Sequence, residues 1–507
     1  MRRESDGDFM NKPTQGLGRK MARGAVWMVA FKLLERSIGL VSTVVLARLL
    51  LPEDFGLIAM ATSVIAITEL LQAFNFDVAL IQNQEAAQED YNSAWTLNIM
   101  LATGCAVLLA AAAYPMALFY GDLRVETVIY CLSFGVLVQG FENIGIIAFR
   151  KELTFHKEFW FLLTKKMVAF TITVSCALLL RTYWALVIGM VSGRIIGVGL
   201  TYIAHPYRPA FSLTRAFGLI HFSKWLLILN ALATARSRAG DMIVGRILGA
   251  YSLGLFSMSY EISNLPTTEL SAPINRAVFP GYSILSDDVK ALRDGFRKVM
   301  SLIILVTVPA AIGIAAVAEP LVLTLLGAKW AGAVPLIRVL AFFGLVSSLQ
   351  SNLGYVFIAK GNARFVTIWS ATSFLLQLPT VIFGALYYGV LGAAVGALAS
   401  VVVPMPFVFV AFSRLIGFTF RDWLSLAWRP LLSTVMMCLI LAIWLSSAPP
   451  VMTLTGVPAG MLLSATALGA VTYSLCIVTL WILAGKPSGP EEYLFDRVTA
   501  RFAVRAQ

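Results

Sequence analysis

Charge is what this sequence has least of. Only 13% of its 507 residues are Asp, Glu, Lys or Arg, against 59% hydrophobic, and the mean hydropathy is +0.81. A water-soluble domain needs a polar shell that this composition cannot supply, so a soluble protein is excluded. Cysteine is scarce too. Cys105, Cys131, Cys176, Cys438 and Cys476 each lie inside an apolar stretch, and none stands at metal-ligand spacing from another. That pattern excludes a zinc site and a disulfide framework and leaves small packing residues. Histidine amounts to His156, His205 and His221, far apart in sequence, which gives imidazole catalysis no basis. The ten-residue segments of alternating polarity that mark an outer-membrane barrel are missing. Missing as well is a small-residue cleavage site after Arg2, Arg3, Lys12, Arg19, Lys20 and Arg23, and the apolar stretch that follows holds Lys32, Glu35 and Arg36. A signal peptide is therefore not expected.

What is present is a series of long apolar runs. A hydrocarbon core about 30 Å thick takes roughly 20 residues per helix. Runs between punctuating Pro, Gly and charge clusters predict about fourteen spans, near 25–47, 55–78, 93–119, 125–149, 159–180, 183–204, 219–248, 252–276, 297–318, 333–359, 364–387, 390–412, 430–448 and 459–484. The expected fold is an all-α membrane protein of about 14 transmembrane helices.

The net charge of +12 would suit a nucleic-acid partner, but topology accounts for it better. With the N-terminus inside, alternate connections carry about twenty-five Lys and Arg residues on the cytoplasmic side, among them Arg150, Lys151, Arg293, Arg297 and Arg421. The opposite side holds only Arg48, Arg124, Arg181, Arg246 and Lys329. This asymmetry predicts cytoplasmic N- and C-termini and an even number of spans.

An internal repeat is also visible. Residues 46–60, LARLLLPEDFGLIAM, lie over residues 244–258, VGRILGAYSLGLFSM, at an offset of 198. Arg48 falls on Arg246, Leu50 on Leu248, Gly56 on Gly254, Leu57 on Leu255 and Met60 on Met258. Both copies follow the first span of a six-helix unit, which predicts two lobes in parallel orientation, as in transporters built from parallel repeats. The expected organisation is a basic cytoplasmic segment at 1–24, lobes at 25–206 and 217–413, two further helices within 430–485 and a cytoplasmic tail at 486–507.

The segments ARLLLPEDFGLIAMATSV (47–64), LLGAKWAGAVPLIRVLA (325–341) and YYGVLGAAVGALAS (387–400), together with the repeat of about 200 residues, resemble the Wzx-type polysaccharide-exporting flippases. Those belong to the multidrug/oligosaccharidyl-lipid/polysaccharide exporter superfamily, which also holds lipid II flippases and MATE drug antiporters. The resemblance spans about residues 18–485. It implies a V-shaped, two-lobed bundle in the bacterial inner membrane. Such a bundle moves undecaprenyl-diphosphate-linked oligosaccharide between leaflets by alternating access, with a polysaccharide polymerase and a chain-length regulator as partners. No short catalytic motif defines that family, so the resemblance assigns no individual residue.

Ionisable residues at membrane depth are costly and default to functional hypotheses. In the first span Lys32, Glu35 and Arg36 share one helical face with Gly39 and Thr43, and Lys32 can also neutralise Glu35 at i,i+3. The seventh span carries Lys224, Arg236, Arg238 and Asp241; the last two can pair, while Arg236 points away from Arg238. Glu69, Asp77, Glu142, Arg194, Glu261 and Glu269 complete the set. Arg36, Arg194, Arg236, Arg238 and Lys32 are the candidates for a diphosphate headgroup, because guanidinium groups bind phosphate bidentately. Glu35, Glu69, Asp77, Glu142, Asp241 and Glu261 are the candidates for a coupled H+ or Na+, since desolvation raises a carboxyl pKa. No other cofactor and no metal are expected. Lys165 and Lys166 read as interfacial anchors, with contact to the diphosphate at the cytoplasmic entrance as the alternative, and Gly389, Gly392 and Gly396 as helix-packing positions. An enzyme acting on the same lipid-linked sugars would need carboxylates or histidines in a large outer loop, and the predicted outer connections are short. The alternatives kept open are a lipid II flippase and a MATE-like cation-coupled drug antiporter.

Overall fold

A computed structural model describes residues 12–72, 80–81, 87–214, 216–447, 459–487, 489 and 492; the side chains of 12–22, 67–72, 216–233, 235–236 and 459 are outside that description. Among the described residues the chain is helical, with no strand. By contacts it divides into two units, Met1–Met242 with Gly249–Tyr251, and Ile243–Leu248 with Ser252–Gln507.

The first unit contains α1 (Lys12–Leu49), α2 (Pro52–Gln72), α3 (Gln88–Tyr120), α4 (Arg124–Gln139), α5 (Phe155–Leu180), α6 (Trp184–Ala204) and the start of α7 (Ala216–Ser263). Helix ends fall where the sequence supplies stop signals. Gly121, at φ 71°, closes α3 and donates its N–H to the Ala117 carbonyl, a left-handed cap. α5 ends on Arg181, at φ 52° without glycine's freedom. α1 and α2 meet at Leu50 and Leu51, both of which fall in the repeated segment.

The fourth span, expected as one helix over 125–149, is interrupted. α4 stops at Gln139, and a 3-10 turn (Ile144–Ile147) with one helical turn to Lys151 continues at a 66° bend. Asn143 is the cause. Its carboxamide oxygen accepts from the Gly145 N–H at 2.9 Å, its Nδ2 donates to the Tyr207 carbonyl at 2.7 Å, and its backbone N–H donates to Thr201 Oγ1 at 3.0 Å. A fully buried residue with these bonds satisfied cannot return to the helical ladder.

α7 comprises two helices meeting at Gly249 (φ 78°), the counterpart of Leu51 under the offset of 198. A π-helical turn, Pro266–Ser271, leads to α8 (Ala272–Ile284). The second unit continues with α9 (Val289–Ala316), α10 (Ala333–Ala359), α11 (Ala363–Val402), α12 (Met405–Ile416), α13 (Phe420–Ser447) and α14 (Ala459–Leu483). α11 also holds two helices, meeting at Gly389 (φ 64°). A Cβ on Gly384 would collide with the Gly392 carbonyl and one on Gly396 with the Thr380 carbonyl, so the two halves run back against each other. Gly392 and Gly396 are thus close-packing positions, whereas Gly389 supplies the turn and faces open space.

Among the described residues nine helices are long and apolar enough to cross a membrane, ten if the bent pair counts as one span. Two of the nine, Ser237–Ile284 and Ala363–Ile416, each contain a positive-φ glycine where the sequence separates two spans. The chain is a multi-pass membrane protein.

Small polar residues knit the second unit. Ser259, Ser263 and Thr267 donate to the carbonyls of Ala333, Ile337 and Gly344 on α10, Ser271 bonds Ser348, and Asn275 bonds Ser351 and Asn352. The five residues recur every fourth position, and each bond replaces water that hydrocarbon cannot provide. At one end of this unit Phe296, Phe412, Phe418 and Trp423 interlock edge to face, with Asp422 accepting from Arg293 at 2.6 Å beside them.

Candidate functional site

The charged stripe of α1 forms as its spacing predicts. Lys32 Nζ lies 2.7 Å from Glu35 Oε2 and 5.8 Å from the centre of the Phe31 ring, and Arg36, one residue on, is half-buried. Next to this stripe the helix packs on α5, where Trp27 and Phe31 meet Phe159 at ring separations of 4.9 and 6.4 Å.

Glu142 sits in the break after α4. Its Oε1 accepts from Lys165 Nζ at 3.2 Å, so Lys165 is an ion-pair partner within α5. Lys165 is the eleventh residue of α5, about 15 Å along its axis. It reaches Glu142 by lying across α6 at Gly197, where a Cβ would come within 2.5 Å of Lys165 Cε. Gly189, Gly193 and Gly197 form a bare stripe on α6 against Thr173, Ala169 and Lys165 of α5, the close approach that small residues at four-residue spacing permit. Arg194, on the same helix, points towards α4, its Nη1 3.4 Å from the Leu132 carbonyl and its Cδ over Gly135.

Arg238 and Asp241 pair at 3.4 Å, as the i,i+3 spacing predicts, with the aspartate side chain 14% exposed. Glu261 is exposed on the second half of α7. Glu69 and Arg236 occupy helical positions, but their side chains, and all of Asp77, lie outside the described residues. The candidates therefore come together as separate ion pairs, Lys32 with Glu35, Glu142 with Lys165 and Arg238 with Asp241. Among the described residues no group of three His, Cys, Asp or Glu could hold a metal ion.

Sequence reasoning missed Glu158. Its side chain is 6% exposed, and Arg150 Nε donates to its Oε1 at 2.6 Å across the turn that joins the bent segment to α5. Leu153, at φ 58°, makes that turn tight enough for the two to meet. The available signal was a single acid in the otherwise apolar and basic start of α5, FHKEFWFLLTKK.

Outside the spans, the connection after α6 is stitched to α3. Asn92 Oδ1 accepts from the Tyr207 hydroxyl at 2.6 Å and from the Ala210 N–H at 2.9 Å, and Thr96 Oγ1 accepts from the Ser212 N–H at 3.0 Å. His205 begins this connection. Burial lowers its pKa, opposed by Glu152 and assisted by Lys157 and Arg208, and its Nδ1 accepts from the Tyr207 N–H. At the other end of the unit Arg124 bridges Asp122 and Glu53, and its hydrogen bonds hold the Asp122 carboxyl below the usual carboxylate range.

Comparison with known proteins places this architecture. The chain is 24% identical over 431 residues to the lipopolysaccharide biosynthesis protein WzxC of Escherichia coli (strain K12), covering 82% of this chain and 85% of that one. It is 22% identical over 467 residues to the succinoglycan biosynthesis transport protein ExoT of Rhizobium meliloti (strain 1021), covering 91% and 93%. Among solved structures, the lipid II flippase MurJ in an inward closed conformation shares the fold, with a TM-score of 0.72 at 12% identity over 90% of this chain and 99% of that one. The profile described as polysaccharide biosynthesis protein matches residues 45–335, more than half of the chain. The chain belongs to the polysaccharide biosynthesis protein family.

Proposed function

We propose that the chain translocates undecaprenyl-diphosphate-linked oligosaccharide repeat units across the bacterial cytoplasmic membrane, by alternating access, for exopolysaccharide, capsule or O-antigen synthesis. It acts as a transporter and not as an enzyme. The observation that carries the reading is the family match over residues 45–335, in a multi-pass helical chain whose relatives include a transport protein of polysaccharide biosynthesis. Fourteen crossings, with both termini cytoplasmic and the two lobes expected from the repeat, complete the topology. The Gly249 and Gly389 breaks support this count by dividing two long helical stretches where the sequence separates spans.

The ion pairs suggest how substrate and ion are coupled. Lys32 and Arg238 each already hold a carboxylate, Glu35 and Asp241. A diphosphate arriving at either cation competes with that carboxylate and releases it, and a released carboxylate at membrane depth takes up H+ or Na+. Arg36, Arg194 and Arg236 are further headgroup candidates, and Glu69, Asp77, Glu142 and Glu261 further ion sites. A polymerase and a chain-length regulator would take the product onward.

Deletion of the gene tests the reading. The expected result is loss of surface or secreted polysaccharide, with an undecaprenyl-diphosphate oligosaccharide trapped on the cytoplasmic leaflet. Normal polysaccharide with raised sensitivity to cationic drugs would point to an antiporter, and accumulation of lipid II to the cell-wall substrate.

A further inference from the structure

Beside the α4 bend the first unit holds a half-open pocket of about 260 Å³ that shares only Glu142 with the ion-coupling and headgroup candidates. Its polar lining comes from Asn98, Glu142, Asn143, Arg150 and Glu158, and its apolar lining includes Ile146 and Phe161. Glu158 is buried, and while its Oε1 is held by Arg150, its Oε2 is shielded from solvent and has no hydrogen-bond partner among the described residues. A buried carboxylate oxygen left in that state is costly, and something that donates a hydrogen bond is what it lacks. The carboxamide-bearing Asn98, half-buried, lines the same pocket.

Charge and size narrow the occupant. Glu158 is balanced by Arg150 and Glu142 by Lys165, so the pocket has no net charge with which to select a cation or a phosphate. Its volume is far more than one ion or a few waters fill, and below the about 300 Å³ at which pockets for drug-sized ligands begin. Spare acceptors and an amide on one side, with aliphatic and aromatic carbon on the other, match a small ring with hydroxyl edges and apolar faces.

We infer that this pocket is a subsite for one neutral sugar ring of the lipid-linked oligosaccharide, an inference that rests on the flippase reading above. A ring hydroxyl donates to Glu158 Oε2, Asn98 serves a second hydroxyl, and a C–H face lies on Phe161 and Ile146. A site built to receive hydroxyl hydrogen bonds rejects a ring that lacks them, because its own buried polar groups then stay unsatisfied. The pocket therefore selects which oligosaccharide is admitted, separately from the diphosphate that every such substrate carries.

The test uses the full-length protein in detergent and saturation-transfer NMR with free glucose, galactose, mannose and N-acetylglucosamine as probes. The expected result is transfer to the ring protons of at least one of the four. The signal should fall about tenfold in Asn98→Leu, which fills the pocket without touching either ion pair, and comparably in Glu158→Gln, which keeps the shape. Replacing sodium by potassium should leave it unchanged. No transfer from any of the four to the wild-type protein overturns the inference, as does an undiminished, wild-type signal in both variants or displacement by sodium. Complementation of the deletion strain by the wild-type gene is scored in parallel. Restored polymer without sugar transfer sinks the subsite alone, and failure to restore polymer sinks the flippase reading.

Discussion

The ammonium of Lys165 reaches the Glu142 carboxylate by crossing the bare backbone of Gly197. One side chain thereby ties together three consecutive segments, the bend after α4, α5 and α6.

Gly197→Leu is expected to force Lys165 off Glu142. Overpacking of this kind costs about 1–3 kcal/mol, read as a lower thermal midpoint of the purified protein, and should be accompanied by loss of polysaccharide in complemented cells. Glu142→Gln should lose polysaccharide while leaving the midpoint nearly unchanged. Normal polymer in both variants would remove Glu142 from the transport cycle.

The hairpin at Gly389 presents a harder obstacle than Gly197. A Cβ on Gly392 meets the Gly384 backbone carbonyl, which cannot swing aside as a lysine chain can. Gly392→Ala should therefore lower the thermal midpoint more than Gly197→Ala does, in side-by-side melts; the reverse order would mean that the two halves of α11 are not in contact.

Asn352 bonds both Asn275, at 2.6 Å, and Tyr282, at 3.2 Å, in the interior of the second unit. Asn352→Leu leaves both partners unsatisfied, at about 1–3 kcal/mol each. Denaturation should register most of that loss. An unchanged midpoint would mean that water or lipid headgroups supply the missing bonds.

The Asp122 carboxyl, held low by Arg124, gives a pH dependence of known sign. Because its folded pKa lies below the unfolded one, its contribution is complete above the ordinary carboxylate range and is lost as pH falls through the folded value. The pair is partly exposed, so the effect is small, about 0.2–1 kcal/mol. Melts of wild type and Asp122→Asn should differ at neutral pH and converge as pH falls below the ordinary carboxylate range and through the folded value.

If Lys32 and Glu35 serve only to neutralise each other, removing both charges together should be tolerated. The proposed coupling predicts instead that Lys32→Gln with Glu35→Gln abolishes polymer export although the protein is made in normal amount. Immunoblots and polysaccharide assays on the same cells decide between these.

The fold was legible in the sequence to the extent that it is local. Apolar runs mark the helices, Gly249 and Gly389 fall between predicted spans, and Lys32–Glu35 and Arg238–Asp241 pair because three residues of helix bring them together. Glu142 with Lys165 is another matter. Twenty-three residues and a bend separate them, and nothing in the spacing anticipates a lysine laid across a glycine of a third helix. Arg150 and Glu158 depend on a turn made by Leu153, which no turn-forming residue announces. Asp422 pairs with Arg293 only because two helices far apart in sequence pack side by side. The run Ser259, Ser263, Thr267, Ser271, Asn275 was readable as a polar stripe at helical spacing, although its partners on α10 were not.

That stripe meets α10 in two registers. Ser259 and Ser263 bond residues 74 positions ahead, whereas Thr267 and Ser271 bond residues 77 ahead. The change falls where the π turn Pro266–Ser271 begins, so the wider turn acts as a phase adjuster between two sets of teeth. Deleting one residue there would restore a uniform helix but rotate every tooth on one side of the deletion by about 100° away from α10. The segment can accept changes of residue type far more readily than a change of length, and frameshift-like slips of even one position would unzip half of it.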